Sequence, residues 1–347
     1  MNPSAAATAA TAATRAVGRA PERVAAAHRA WRHRFACFQV LCTWLLIVAG
    51  ASVTSHDAGL AVPDWPTSYG WLNPFAVPMV GNIFYEHGHR MVAAFVGLLT
   101  TIEAVWLLRT AERPLVKRLA VLLFVLVCVQ GGLGGITVKY FLPPIVSITH
   151  GMIAQSFFCL SIATAYLLSR EWRATVPRAD AGARALKRVA LLAAGSVFVQ
   201  LLLGAVVRHS WKKEMPDEAF PPRFADLVPP FAPPPVSGGL SAAILAHGSF
   251  ALLVTVALLG AALHVARRRA GERRLMRVAA GLALLVVVQI GLGLLTFATR
   301  TNPNVTTTHV VVGATLLGGA VLLVLRSWRA LAPGAPGAPV TTLEARP

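Results

Sequence analysis

The sequence predicts an all-α, polytopic membrane protein with eight transmembrane helices arranged as two tandem four-helix bundles. Two observations lead to this prediction. Of the 347 residues, 56% are hydrophobic and only 13% are charged, and the mean hydropathy is +0.62, which is typical of membrane proteins and excludes an ordinary soluble domain. In addition, several polar and glycine positions of the first half recur in the second half.

Eight apolar runs are each long enough to cross a hydrocarbon core of about 30 Å. We place them at residues 35–53, 90–108, 118–138, 144–168, 187–207, 241–264, 277–298 and 306–325. The segments on the side of both termini hold 25 Lys and Arg residues, and the segments on the other side hold seven. Because cytoplasmic loops retain positive charge, we predict cytoplasmic termini in the inner (plasma) membrane. The net charge of +18 lies in these loops, so membrane lipid and not nucleic acid is the expected partner.

An internal repeat defines the predicted domains. Five residues of the first half recur 159 positions later: Gln130, Leu133, Gly134, Thr137 and His150 become Gln289, Leu292, Gly293, Thr296 and His309. Gly50 and Val53 recur as Gly204 and Val207, and His89 as His247. Because each half has an even number of crossings, a pseudo-twofold axis along the membrane normal is expected.

The domain boundaries follow from the repeat and from the charge pattern. We predict a disordered cytoplasmic tail at 1–34, an N-terminal bundle at 35–170, a cytoplasmic linker at 171–186, a C-terminal bundle at 187–326 and a cytoplasmic tail at 327–347. Outer loops are expected at 54–85 and 208–240, and the second is Pro-rich and therefore extended.

Four histidines lie at matching depths near the outer ends of the even-numbered runs. They are His89, His150, His247 and His309, with spacings of 61 residues in the first half and 62 in the second. Two imidazoles from two helices of one bundle can bind the iron of a heme from opposite faces. The pattern favours two bis-His heme sites. A proton pathway and a non-heme metal site stay open as alternatives, although no carboxylate or thiolate cluster would complete the latter.

The segment from Tyr85 to Arg90, Tyr-Glu-His-Gly-His-Arg, distinguishes the two halves. Glu86 and Arg90 correspond in repeat register to Ile244 and Gly248, so only the first site has an acid and a cation. We expect Glu86 to move a proton or to stabilise positive charge at the porphyrin edge, and Arg90 to pair with a heme propionate. The simpler interpretation is that these polar residues cap the helix and reach water.

From about residue 35 to 325 the sequence resembles the heme A synthase family of cytochrome oxidase assembly proteins. The resemblance is carried by Glu86-x-x-His89-Arg90, by the other three histidines and by the segment 59–66, Gly-Leu-Ala-Val-Pro-Asp-Trp-Pro. It implies oxidation of a porphyrin methyl group of heme O to the formyl group of heme A. It further implies that His89 and His150 hold the substrate heme, that His247 and His309 hold a heme b cofactor, and that Glu86 is a catalytic carboxylate.

The cysteines set this chain apart from part of that family. Some members have a cysteine pair in each large outer loop, whereas Cys37, Cys42, Cys128 and Cys159 all lie in apolar runs here. The chain therefore resembles the cysteine-free branch, and a thiol-based step is not expected.

The expected partners are heme O, an unidentified electron donor, heme O synthase and oxidase assembly factors, and a homo-oligomeric state is left open. A diheme b-type cytochrome in quinone-linked electron transfer is the main alternative function, and a heme or proton transporter is a third.

Overall fold

The chain folds almost entirely into long helices, as the composition predicts. The computed structural model describes residues 3–72, 74–214 and 238–333. Nine α-helices in this part are α1 (Pro3–Ser55), α2 (Gly81–Thr110), α3 (Pro114–Lys139), α4 (Pro144–Leu168), α5 (Arg170–Ala174), α6 (Ala183–Glu214), α7 (Gly238–Arg268), α8 (Arg273–Ala298) and α9 (Pro303–Ala330). All except α5 are long and apolar enough to span a membrane. The prediction of an all-α polytopic membrane protein with eight spanning helices is therefore confirmed.

The N-terminal segment differs from the expected disordered tail. Residues 3–34 are helical and form the first part of α1 without a break, and the membrane-spanning part of that helix begins at Ala25. The segment is rich in alanine, which has the highest intrinsic helix propensity of all residues. The Pro-rich part of the second outer loop (215–237) and the end of the C-terminal tail (334–347) lie outside the described residues.

Short turns join α3 to α4 and α8 to α9 in the same conformation. Phe141 and Leu142 have φ angles of 56° and 58°, and Arg300 and Thr301 have φ angles of 55° and 61°. Leu142 N donates to Thr137 O at 2.7 Å, and Thr301 N donates to Thr296 O at 2.8 Å. These left-handed residues satisfy carbonyls at the helix ends, which α-helices otherwise leave unpaired. The backbone of the two turns thus repeats with the sequence.

The helices pack as two groups of four. In the N-terminal half (α1–α4), α1 contacts α2 and α4, and α3 contacts α2 and α4; in the C-terminal half (α6–α9), α6 contacts α7 and α9, and α8 contacts α7 and α9. The halves meet where α9 contacts α1 and α4 and where α4 contacts α6. A twofold relation would give this neighbour pattern, while the axis itself stays a prediction.

The linker between the halves is held by ion pairs. Its β1 (Arg178–Asp180) pairs in parallel with β2 (Leu331–Pro333), which follows α9. Glu171 accepts two hydrogen bonds from Arg326, each 2.9 Å long, and Arg269 donates to Asp180. We call the end of the molecule that contains the linker the linker end, and the opposite end, where α2, α4, α7 and α9 begin, the imidazole end.

Candidate functional site

The four predicted histidines all lie within the first three turns of helices that begin at the imidazole end. His89 is in α2, His150 in α4, His247 in α7 and His309 in α9, and all four are partly buried. Electrostatic interactions join His89 to His150 and His309 to His247. Each half therefore brings its two imidazoles together, from two helices that run in the same direction.

Each imidazole packs on a glycine of the preceding long helix. A Cβ atom placed on Gly50, Gly204 or Gly293 would lie 3.1 Å from Cε1 of His89, His247 or His309, respectively. For Gly134 and His150 the distance would be 3.6 Å. A Cβ atom at the first three positions would crowd the imidazole and displace it by a few tenths of an ångström, so glycine allows the closest packing there. The repeated glycines are thus explained as cradles for the histidines.

Glutamines reach three of the four histidine positions. Gln130 Nε2 donates to the His150 carbonyl at 3.1 Å, and Gln200 Nε2 donates to the His247 carbonyl at 3.0 Å. Gln289 Nε2 lies 3.4 Å from His309 Nε2. Each glutamine is four residues before the corresponding glycine, and the position equivalent to them near His89 is Leu46. Gln130 and Gln200 thus each join two neighbouring helices through a hydrogen bond to a histidine carbonyl.

Glu86 and Arg90 form a buried ion pair one turn from His89. Glu86 is only 3% exposed, and Arg90 Nη2 donates to its Oε1 at 2.6 Å. Its other carboxylate oxygen, Oε2, accepts from Val62 N at 2.8 Å. Both oxygens therefore have a donor within the chain, one from a charged side chain and one from the backbone.

Arg90 also holds the first outer loop against α2. Its Nη1 donates to the carbonyls of Asp64 at 2.7 Å and Thr67 at 3.0 Å, and its Nη2 donates to the Val62 carbonyl at 2.9 Å. The expected pairing of Arg90 with a propionate stays a prediction, because the hydrogen bonds of this guanidinium within the chain go to Glu86 and the loop. The helix begins at Gly81, so these residues lie in its second and third turns and not at its first residue.

The same loop has its own hydrogen-bonded turn. Asp64 accepts from Tyr69 N at 2.6 Å and Gly70 N at 2.8 Å, and also from the Thr67 hydroxyl. Burial alone would raise the pKa of Asp64, but these hydrogen bonds lower that pKa to about 2. The carboxylate is therefore ionised at physiological pH and fixes the loop beside the site.

Trp65 of the first outer loop packs its ring against α3 at Gly135. A Cβ atom on Gly135 would be 2.6 Å from Trp65 Cδ2, so only glycine permits this contact. Next to it, His87 is 3% exposed and its Nδ1 lies 3.1 Å from the Ser68 hydroxyl. Sequence reasoning gave no role to His87 or Gly135, because their partners lie far along the chain.

The matching positions of the C-terminal half have no charged groups. Ile244 replaces Glu86, and Gly248 replaces Arg90 with open space where a Cβ atom would be. At this end of the molecule Arg208 of α6 links the two halves. Its Nη2 donates to Thr54 O at 2.8 Å and to Asp57 Oδ1 at 3.0 Å. The second imidazole pair thus has no counterpart of the Glu86–Arg90 ion pair, and its polar neighbours Gln200 and Gln289 are uncharged.

The donor set of each half fits a heme. In the described residues, the Nδ1 atoms of His89, His150 and His309 are buried without a hydrogen-bond partner, and no group of three or more His, Cys, Asp or Glu side chains could hold a metal ion. A pair of imidazoles suits an iron whose other four ligands come from a macrocycle. All four cysteines are free thiols, and Cys37 and Cys128 are exposed.

Comparison with known proteins gives a consistent result. Residues 33–321 match the sequence model of a protein family described as cytochrome oxidase assembly protein. A heme A synthase of Symbiobacterium thermophilum is 31% identical over 72% of this chain and 80% of its own length. A heme A synthase of Staphylococcus carnosus is 25% identical over 84% of this chain and 92% of its own length. A shorter match, 36% identical over 41% of this chain and 40% of the relative, is to a heme A synthase of a Chelativorans species.

Proposed function

The chain belongs to the cytochrome oxidase assembly protein family, and from this premise we propose that it is an oxidoreductase that makes heme A for cytochrome oxidase. The substrate is heme O, and the reaction oxidises one porphyrin methyl group in successive steps to a formyl group. The proposal draws on the names of the relatives, which are heme A synthases. It places the protein in the plasma membrane with cytoplasmic termini, as the charge pattern predicts.

The asymmetry between the two imidazole pairs carries the proposal. His89 and His150 lie beside a buried carboxylate, a guanidinium and an ordered outer loop, whereas His247 and His309 have Ile244 and Gly248 at the matching positions. A site for chemistry requires groups that respond to charge and protons, while a site that only passes electrons is best kept apolar. We therefore assign the substrate heme to the N-terminal half.

The resident cofactor is assigned to the C-terminal half. There His247 and His309 would hold heme b, which supplies electrons from a donor to the reacting site. Gln200 and Gln289 support these ligands through their contacts at 3.0 Å to the His247 carbonyl and 3.4 Å to His309 Nε2. Outer-shell contacts of this kind orient a ligand and raise metal affinity.

The residues around the substrate position have separate roles. His89 and His150 orient the porphyrin, and Glu86 provides a fixed negative charge where positive charge develops during oxidation. Arg90 keeps the Glu86 carboxylate and the loop in place through its hydrogen bonds to Val62 and Asp64. Trp65 fastens the same loop to α3 through its contact with Gly135.

Conversion of the pigment tests the proposal directly. The protein is expressed with and without a heme O synthase, and the extracted pigments are identified by chromatography and mass analysis. The proposal expects b-type heme in the purified protein and heme A only when heme O is supplied. A wild-type protein with full heme occupancy that leaves heme O unchanged would refute the assignment. Two equally and permanently bound hemes with quinone-linked redox activity would instead indicate a diheme cytochrome.

A further inference from the structure

A buried carboxylic acid in α2 has no role in the site described above. Glu103 is 4% exposed, lies inside a membrane span, and its Oε1 has no hydrogen-bond partner among the described residues. It is 14 residues beyond His89, which corresponds to about 21 Å along a helix towards the linker end. An ionisable group at this depth is costly and more often functional than structural.

Further buried polar side chains lie on α1, α2 and α4 of the same bundle. Thr100, one turn before Glu103 on α2, accepts a hydrogen bond from Gln39 Nε2 of α1 at 2.6 Å. Gln39 and Gln155 are 1% and 8% exposed, and the Oε1 atom of each also lacks a partner within the described residues. Three helices thus each contribute one buried acceptor without a donor.

These polar positions are restricted to the N-terminal half. Seven buried polar residues of the N-terminal half correspond, in the repeat register of their helices, to seven buried apolar residues of the C-terminal half. The pairs are Gln39 and Ala193, Thr43 and Val197, Thr100 and Leu258, Glu103 and Ala261, Gln155 and Ala314, Ser161 and Ala320, and Thr164 and Leu323. The C-terminal half packs an apolar core at all seven positions, so bundle stability does not require polar residues there.

The unpaired acceptors indicate bound water. Buried carbonyl and carboxyl oxygens are nearly always hydrogen-bonded, and ordered water is the usual partner when no protein donor is available. If these residues served only to join helices, their oxygens would be paired with one another, as the amide nitrogen of Gln39 is with Thr100. Water between Gln155, Gln39 and Glu103 would connect the linker end to the level of the first imidazole pair.

We propose that Glu103, with water held by Gln39, Thr100 and Gln155, conducts protons from the linker end to the first imidazole pair. The proposal rests on the proposed function, in which each oxygenation consumes protons. Insertion of one oxygen atom into a methyl C–H bond uses one dioxygen, two electrons and two protons, and forms one alcohol and one water. The electrons come from a membrane quinol or an equivalent donor, and the path supplies the protons.

The opposite end of the bundle is less suited to this task. There both oxygens of Glu86 accept hydrogen bonds, from Arg90 and from Val62 N, and Val62, a residue of the first outer loop, is itself fully buried. A proton that enters from this side would have to break the ion pair that fixes the loop. The buried polar side chains between the imidazoles and the linker end have acceptor oxygens without a partner among the described residues, so a proton could reach them without breaking an ion pair.

The first test is Glu103→Gln in the full-length, heme-containing protein. This isosteric change keeps hydrogen bonding but removes the exchangeable acid proton. We expect heme content near wild type and heme A formation lowered about tenfold or more, in the range of general acid catalysis. The matched control is Glu112→Gln, since Glu112 follows the same helix but its side chain is 77% exposed. That variant should behave like wild type.

The second test does not depend on turnover. Infrared difference spectra of the reconstituted protein in H2O and D2O should show a buried carboxylic acid band that shifts on deuteration. Glu103→Gln should remove this band, and Glu112→Gln should retain it. Gln155→Leu, which deletes the next polar group towards His150, should slow heme A formation severalfold and leave the band in place.

The outcomes separate this inference from the proposed function. Normal heme A formation by Glu103→Gln, or no deuterium-sensitive carboxylic acid band in wild type, would overturn the proton path while wild-type conversion of heme O would still stand. Should wild type fail to convert heme O, the proposed function falls, and the infrared experiment still decides whether Glu103 is a hydrated acid. Poor folding of Glu103→Gln would leave Gln155→Leu and the wild-type spectrum to decide the matter.

Discussion

The two halves of the chain treat their imidazole pairs differently. In both, a histidine packs on a glycine at close range, as His89 does on Gly50 and His247 on Gly204. Around the first pair, however, Glu86 and Arg90 form a buried ion pair, whereas Ile244 and Gly248 occupy the matching positions beside the second pair. Both halves therefore share the glycine contacts that position the imidazoles. Only the first half also has an ionisable carboxylate and a guanidinium beside them.

Removing one histidine from each half should produce the largest and most different effects. His247→Ala should lose the resident heme and all heme A formation, because one axial ligand of the cofactor is gone. His89→Ala should keep the resident heme but abolish conversion of heme O. Extracted heme per mole of protein and the absorption spectrum measure both effects. Unchanged heme content in His247→Ala would contradict the division of roles.

Glu86→Ala should have the next largest effect. Heme content should stay near wild type, and heme A formation should fall about 100-fold, as expected when a preorganised electrostatic group is removed. Ile244→Ala, at the matching position of the second half, should leave heme A formation within about twofold of wild type, since it removes no charge. Pigment analysis after expression with heme O provides the measurement. Wild-type output from Glu86→Ala would eliminate the proposed role of this carboxylate.

Glycine substitutions should separate the two sites at a smaller scale. A Cβ atom on Gly204 or Gly50 would lie 3.1 Å from the facing imidazole, and overpacking of this kind costs about 1–3 kcal/mol. Gly204→Ala should therefore weaken binding of the resident heme about tenfold, while Gly50→Ala should weaken only heme O binding. Gly248→Ala is the control, because nothing lies within 4 Å of its Cβ position. Heme titration of the purified variants measures these affinities. If Gly248→Ala weakened heme binding as much as Gly204→Ala does, close packing of glycine on the imidazole would not be the cause.

The smallest predicted effect concerns the connection between the halves. The hydrogen bond from Arg269 lowers the pKa of Asp180 from 3.8 to about 2. Because the folded-state pKa is depressed, this stabilisation is present above pH 4 and is lost as the pH falls towards 2. The thermal unfolding temperature of wild type should therefore fall by a few degrees as the pH is lowered over this range. Asp180→Asn should lose that part of the pH dependence, and an identical profile in the variant would exclude the contribution.

Much of the fold could be predicted because it depends on short-range patterns. Apolar runs located all eight spanning helices, with boundaries shifted outwards by several residues, as for α2, which begins at Gly81. The helical course of residues 3–34 was not predicted, because alanine-rich sequence suits both a helix and a tail. The candidate histidines were found from their spacing, and the structure brings them together in pairs.

The amino-acid sequence was sufficient to assign residues to helices and to helix faces, because side chains in a helix repeat every 3.6 residues and the two halves repeat each other. It therefore identified four histidines, and it showed that Glu86 and Arg90 have no charged counterparts in the second half. The contacts that these groups make became known only from the folded structure. Glu86 meets Val62 across 24 residues, and Gln39 meets Thr100 across 61. Such contacts depend on how loops fold back and how helices are rotated against one another, and no local pattern in the chain specifies either.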